Sequence, residues 1–195
     1  MRRGALIAHY TTSLPGIGVD PRNGAALLRL DAIKARVGRD GYVVVTGSVE
    51  LARGWFAASD EAESLIATPW PGPVTIVLPA GTAAAPAVVS AAGTIALRID
   101  RHPAVIALTG ALGRPMISTS LNLPGEPPAR MIEGLDDGLT AALDGAFVLG
   151  PRGEGVASTL ISLLDGELRV LRSGSVETST LLGLLGQLGL FGGRQ

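Results

Sequence analysis

A chain of 195 residues is long enough to bury one sizeable core and leave a concave face, and 47% hydrophobic with only 4% aromatic residues requires that core to be built from Ala, Val, Leu and Ile. The absence of cysteine excludes thiolate catalysis, disulfides and sulfur-ligated zinc, and makes a reducing cytoplasm the expected compartment. A formal net charge of −1 gives no global pull toward nucleic acid, no apolar run reaches the roughly 18 residues of a membrane span, and Met1-Arg2-Arg3-Gly4-Ala5-Leu6-Ile7-Ala8 lacks the apolar region of a signal peptide.

In chain order, Arg3 to His9 reads as a short buried strand running into a Thr-Thr-Ser-Leu-Pro-Gly-Ile-Gly turn at residues 11 to 18. From Asn23, a candidate N-cap, Ala25, Leu27, Leu28, Leu30 and Ile33 recur at helical spacing, and Lys34-Ala35-Arg36 closes the helix before Gly38. Tyr42 to Thr46 is predicted as a strand, Ser48 to Ala58 as a helix, and Asp60 to Ala67 as a helix that stops before Pro69. Pro69-Trp70-Pro71-Gly72-Pro73 breaks the chain into the β-branched strand Val74 to Pro79, and Thr94 to Ile99 is a second apolar strand, interrupted by Arg98. A helix over His102 to Leu112 tolerates Pro103 in its first turn, and Pro115 to Ser120 is a strand feeding Leu121-Asn122-Leu123-Pro124-Gly125-Glu126. Residues 133 to 144 suit a helix, and 146 to 149, 158 to 164 and 168 to 172 suit strands, the last two joined by the hairpin signal Asp165-Gly166. Val176 to Leu190 is a Leu- and Gly-rich helix. These elements describe one α/β domain of the α+β type over residues 1–175, with residues 176–195 a helical tail of the same domain, built on a mixed parallel and antiparallel sheet.

The polar residues of interest fall at strand ends or just after them, where open α/β sheets bind ligands. Lys34 and Arg36 could meet one phosphate chain from a frayed helix end, or could simply complement the helix dipole. The hydroxyls and amide of Ser118-Thr119-Ser120-Leu121-Asn122 could hold phosphate oxygens or a small amino acid, or could cap their own loop. Arg98 and Arg172, each in or ending an apolar strand, must pair with an acid, reach the rim or meet an anionic ligand. The motifs of P-loop, dinucleotide-binding and α/β-hydrolase sites are absent, and the only histidines, His9 and His102, are read as structural.

Taken together, Trp70-Pro71-Gly72-Pro73-Val74-Thr75, Ile95-Ala96-Leu97-Arg98-Ile99 with His102-Pro103, Pro115 to Gly125, Ala157-Ser158-Thr159-Leu160-Ile161 and Val170-Leu171-Arg172-Ser173-Gly174 resemble the YrdC family in order, over roughly residues 5 to 175. That resemblance implies an open twisted mixed sheet flanked by helices around a central cleft. It implies an L-threonylcarbamoyladenylate synthase, a nucleotidyltransferase joining L-threonine, bicarbonate and ATP with release of pyrophosphate. It implies too that the product feeds a separate transferase that modifies tRNA, and that Mg2+ accompanies the ATP.

Position by position, the resemblance assigns Lys34 and Arg36 to phosphate neutralisation and Thr94, Ser118, Ser120, Asn122 and Arg172 to ATP. It assigns Thr11, Arg98 and Ser158 to threonine, and no metal ligand to the protein. The chain departs from the family pattern at Tyr10-Thr11-Thr12-Ser13-Leu14-Pro15-Gly16-Ile17-Gly18, where an acid and an aromatic are missing, and at Val37, Asp40, Gly41-Tyr42 and Pro128. These departures sustain a second reading, a diverged non-catalytic module that binds nucleotide, double-stranded RNA or tRNA. The additional C-terminal domain of longer family members is expected to be absent.

Overall fold

A computed structural model describes residues 1–35, 41–164, 166–187 and 189. Nine strands form one sheet: β1 (Ile7–His9), β2 (Gly16–Val19), β3 (Val43–Thr46), β4 (Val74–Pro79), β5 (Thr94–Ile99), β6 (Met116–Ser120), β7 (Gly145–Phe147), β8 (Thr159–Leu164) and β9 (Glu167–Arg172). Their order is β7-β1-β2-β6-β3-β5-β4-β8-β9. The pairs β1/β7, β3/β5 and β4/β8 are parallel and the other five antiparallel, so the sheet is mixed, as the hairpin-length links predict. Six helices accompany it among the described residues: α1 (Gly24–Ile33), α2 (Val49–Ala52), α3 (Asp60–Ala67), α4 (Pro103–Leu112), α5 (Asp137–Ala142) and α6 (Thr178–Gln187).

Local chemistry explains most of these boundaries. Asn23 caps α1 by accepting from the Ala26 N–H, Ser59 caps α3 through the Ala62 N–H, and His102 caps α4 through the Ala104 N–H with Pro103 at its first position. Gly166, at φ +73, lies in the β8–β9 hairpin; Asp165 of that signal lies outside the described residues.

Four expectations are corrected. The turn expected at 11 to 18 ends in a strand, since Gly16–Val19 pairs with both β1 and β6; its two glycines disguised it. The helix expected over Ser48 to Ala58 is one turn, because Gly54 at φ +79 redirects the chain so that Phe56 bridges Ala80 and buries with Trp55. The helix expected over 133 to 144 starts only at Asp137, capped by Asp136, after Gly134 at φ +76, and the strand expected at 146 to 149 is Gly145–Phe147 at the sheet edge. The C-terminal helix covers Thr178–Gln187 of the expected Val176 to Leu190, of which Leu190 lies outside the described residues.

The alternation of side chains along a strand divides the core between the sheet's two faces. Val44 and Ile117 join the main cluster with Ala26 and Leu30 of α1, whereas Val45 and Met116, one residue along, pack against Val105 and Leu112 of α4. Ser118 and Ser120 follow Met116 at i+2 and i+4, so they share α4's face. Arg98 pairs with Val45 in the β3/β5 register and extends the same surface. The cavity described below opens on that face.

Candidate functional site

A cavity of about 260 Å³ is lined by Gly16 of β2, Ser118, Thr119 and Ser120 of β6, Val43 of β3, Arg98 of β5, Arg172 of β9 and Ser158 just before β8. Ser13, Leu14, Pro15, Pro128 and Ala157 supply its loop walls. Two of these walls depend on close backbone approach at glycine. The Gly174 backbone is seated on Ala157 and Ser158, where an added Cβ would lie 2.4 Å from the Ala157 carbonyl oxygen. Gly153 lies as tightly on the 11–13 loop, 2.3 Å by the same measure from the Thr11 carbonyl oxygen, while the Glu154 and Gly155 N–H groups donate to Thr12 O and Ser13 O. A third wall, the loop that carries Pro128, is held by Tyr10. Its hydroxyl donates to Glu133 Oε2 at 2.7 Å and accepts from the Ile132 N–H, and this bond is the largest influence holding the exposed Glu133 carboxyl below its ordinary pKa.

Arg98 is the charged centre of the floor, 6% exposed. Its Nη1 donates to Ser13 Oγ at 2.8 Å and its Nη2 forms an ion pair with Asp100 Oδ2 at 2.8 Å, while Nε is buried without a partner among the described residues. Asp100 also accepts from the N–H groups of Thr12 and His102 and from the Thr12 hydroxyl. The carboxylate is thus saturated and the guanidinium is not, so an oxygen-bearing ligand meets a fixed cation with donor capacity left. The Ser158 hydroxyl is paired with the Thr75 hydroxyl at 2.8 Å, and Arg172, exposed at the rim, donates to Ser158 O.

Of the residues singled out by sequence, Arg98, Ser118, Ser120, Ser158 and Arg172 meet in this cavity. Lys34 and Asn122 stand behind it. The Lys34 Nζ donates to Ser120 O at 2.6 Å and to Asn122 O and Asn122 Oδ1, both at 2.8 Å, and Ser120 Oγ donates to the same Asn122 Oδ1. All three ammonium hydrogens therefore hold the loop that follows β6, and burial pulls the Lys34 pKa from 10.5 down to about 8. Thr11 is buried beneath the cavity; its hydroxyl donates to Leu14 O and sits 3.0 Å from Ser13 Oγ, so it shapes the loop whose Ser13 reaches Arg98. Thr94, at the start of β5, pairs with Ser90 and is not among the lining residues. Arg36 lies outside the described residues.

Sequence reasoning missed Ser13, Asp100 and His9. Asp100 carried a usable signal, since Arg98 and Asp100 at i and i+2 in extended chain share one side. His9, read as structural, is wholly buried, yet its Nε2 lies 3.2 Å from the cavity-lining Ser118 Oγ. Nothing in its sequence neighbourhood announces that contact.

A family model described as telomere recombination, that of the Sua5, YciO and YrdC proteins, matches residues 1–174. The threonylcarbamoyl-AMP synthase of Xanthomonas axonopodis pv. citri is 43% identical over 148 residues, 74% of this chain and 79% of that protein. The synthase of Xanthomonas campestris pv. campestris is 40% identical over 150 residues, 75% and 80% of the two chains. Among solved structures, Sua5 of P. abyssi complexed with L-threonine matches with a TM-score of 0.83 at 25% identity over 95% of this chain. The chain spans 55% of the length of that Sua5. YciO of E. coli matches with a TM-score of 0.80 at 25% identity, covering 92% of this chain and 87% of its own. A match that runs from the first residue to the Gly174 backbone seated on the cavity wall, joined to a shared sheet, places this chain in the Sua5/YciO/YrdC family.

Proposed function

We propose that this protein is an L-threonylcarbamoyladenylate synthase, forming threonylcarbamoyl-AMP and pyrophosphate from L-threonine, bicarbonate and ATP. The observation that carries the reading is the meeting of Arg98, Ser118, Ser120, Ser158 and Arg172, drawn from four separate stretches of chain, around one cavity. The similarity to synthases of that name, and to a Sua5 holding L-threonine, supports the same reading.

In this reading the carboxylate of L-threonine pairs with Arg98, whose terminal guanidinium nitrogens keep hydrogens beyond those turned to Ser13 and Asp100. The threonine amine reacts with bicarbonate to give a carbamate and water. A carbamate oxygen then attacks the α-phosphorus of ATP, and the bond from that phosphorus to the bridging oxygen breaks as pyrophosphate leaves. No protein nucleophile is needed. The chain's contribution is to hold two reactants in line and to offset charge, with Arg172 at the rim on the phosphate side. The described lining contains hydroxyls and two arginines but no carboxylate, and no cluster of three His, Asp or Glu suited to a metal occurs among the described residues. A magnesium ion would accordingly arrive on the triphosphate oxygens, partly neutralising them.

No helix among the described residues is long and apolar enough to cross a membrane. The proposed setting is the cytoplasm, where a separate transferase would pass the product to tRNA. Purified protein supplied with ATP, bicarbonate and L-threonine is expected to release pyrophosphate only when threonine is present. Folded protein without such release rejects the synthase. ATP-dependent thermal stabilisation without turnover would instead identify a nucleotide-binding module, and RNA binding indifferent to ATP an RNA-binding one.

A further inference from the structure

The His9 imidazole makes two contacts that together fix where its proton lies. Nδ1 is 3.0 Å from the Tyr10 carbonyl oxygen, which can only accept, so Nδ1 carries the hydrogen. In the neutral ring Nε2 is then a bare acceptor, and the hydroxyl 3.2 Å from it, Ser118 Oγ, must be the donor. The contact crosses a whole strand. His9 lies on β1 and Ser118 on β6, with β2 between them, and the ring reaches across only because β2 carries Gly16 and Gly18 on that side. A Cβ on Gly16 would sit 2.5 Å from Ser118 Oγ, and one on Gly18 would sit 3.0 Å from His9 Cδ2.

The ring stays neutral for a physical reason. Burial, its largest influence, takes the His9 pKa down to about 4; the Tyr10 carbonyl and Asp100 oppose this, and Arg98 and His102 assist it. A histidine so reluctant to take a proton is a poor general base, and the carbonyl at its Nδ1 does not stabilise an imidazolium as a carboxylate would. The pair is therefore a device for orientation rather than a nucleophile and its base.

We propose that His9 sets the polarity of Ser118. With its hydrogen committed to His9 Nε2, the Ser118 hydroxyl offers only lone pairs to the cavity and accepts from a ligand N–H or O–H, an amino or hydroxyl group, rather than donating to a phosphate or carboxylate oxygen. This rests on the cavity being the substrate site, and it narrows the sequence expectation that Ser118 serves the nucleotide by fixing which kind of atom it touches. Among the described residues Ser118 Oγ has no other hydrogen-bond partner, so its lone pairs are uncommitted on the cavity side. Ser120 is committed in the same sense but by its own loop rather than by a buried ring: its hydroxyl proton is taken by Asn122 Oδ1, which Lys34 also holds.

The test combines nitrogen NMR of the imidazole with titration calorimetry of wild type, Ser118→Ala and His9→Phe against ATP, L-threonine and inorganic tripolyphosphate. The expected spectrum shows His9 protonated at Nδ1 and bare at Nε2, with Ser118→Ala moving the Nε2 shift alone. Ser118→Ala is expected to weaken ATP or L-threonine on the order of fivefold, the worth of one neutral hydrogen bond, and to leave tripolyphosphate unchanged. In His9→Phe the freed hydroxyl can turn and donate, so tripolyphosphate should bind as well as in wild type or better while the other ligand weakens; a merely structural loss would weaken all three. A His9 ring protonated at Nε2, or tripolyphosphate weakened by Ser118→Ala, overturns the proposal. If wild type binds none of the three ligands the synthase reading fails, and the nitrogen shifts still decide the polarity of Ser118.

Discussion

Keeping His9 neutral makes the stability of the whole fold depend on pH in a calculable way. The ring is wholly buried and its pKa falls from 6.5 in the unfolded chain to about 4 in the fold. Above 6.5 both states are neutral and the contribution is fully present. As pH falls through the window from 6.5 to about 4, the unfolded chain takes up a proton that the folded chain refuses, so stability is lost across that window and levels off below it. The full shift corresponds to roughly 3 kcal/mol, and the part between about pH 7 and about pH 5 to roughly 2 kcal/mol. Urea unfolding at the two pH values measures it, with His9→Gln as the reference. Carboxyls held below their ordinary pKa, among them Asp144 beside Arg29 and Glu133 beside Tyr10, also lose their contributions as pH falls, but they do so in both proteins and cancel in the difference. Wild type is expected to lose roughly 2 kcal/mol more than the variant over this interval. Equal losses in the two proteins would refute a buried neutral His9, as would an imidazole proton resonance of His9 that titrates near pH 6.5.

The sequence made the central strands legible and left the contacts between distant strands hidden, for physical reasons that particular residues expose. Val74–Pro79 and Thr94–Ile99 were readable to the residue, because a strand buried in mid-sheet must be apolar and β-branched residues favour it. β2 was not, because Gly16 and Gly18 were selected by what passes over them: the room they leave is filled by the His9 ring and Ser118, which belong to other strands. The same division holds in the cavity. Arg98 drew attention as a charge inside an apolar strand, and its partner Asp100 stood two residues away on the same side. Ser13, which takes Arg98 Nη1, could be found only once Gly153 was known to press on the 11–13 loop, a contact across a long span of chain. Lys34 takes its expected phosphate role from the family resemblance; local sequence shows only a cation at a helix end and cannot show the carbonyls it meets.

Four further outcomes follow from the site's geometry. Arg98→Ala strands the buried Asp100 carboxylate and is expected to cost roughly 3–5 kcal/mol in urea unfolding and to abolish L-threonine-dependent stabilisation; a loss under about 1 kcal/mol would show that the pair is not buried as described. Gly16→Ala forces a methyl to 2.5 Å from Ser118 Oγ and 3.0 Å from the Thr119 carbonyl oxygen, for an expected cost of roughly 1–3 kcal/mol together with weaker ATP binding; an unchanged thermal midpoint would count against the close β2–β6 approach. Tyr10→Phe leaves the buried Ile132 N–H without its acceptor and releases Glu133, and about 1–2 kcal/mol of stability should go with it, with faster hydrogen exchange confined to the loop around Pro128. Lys34→Met separates two roles that equilibrium ATP affinity alone cannot. A lysine that only meets phosphate would weaken ATP and leave the ligand-free protein as it was. Here, however, the ammonium spends its hydrogens on Ser120 O, Asn122 O and Asn122 Oδ1, and its loss frees three acceptors at the end of β6 at once. Hydrogen exchange of the Leu121 and Asn122 amides should therefore quicken in the variant before any nucleotide is added, and ATP affinity should fall because Ser120 is no longer held at the cavity wall. Unaltered exchange in the ligand-free variant, beside a large loss of ATP affinity, would return Lys34 to the phosphates.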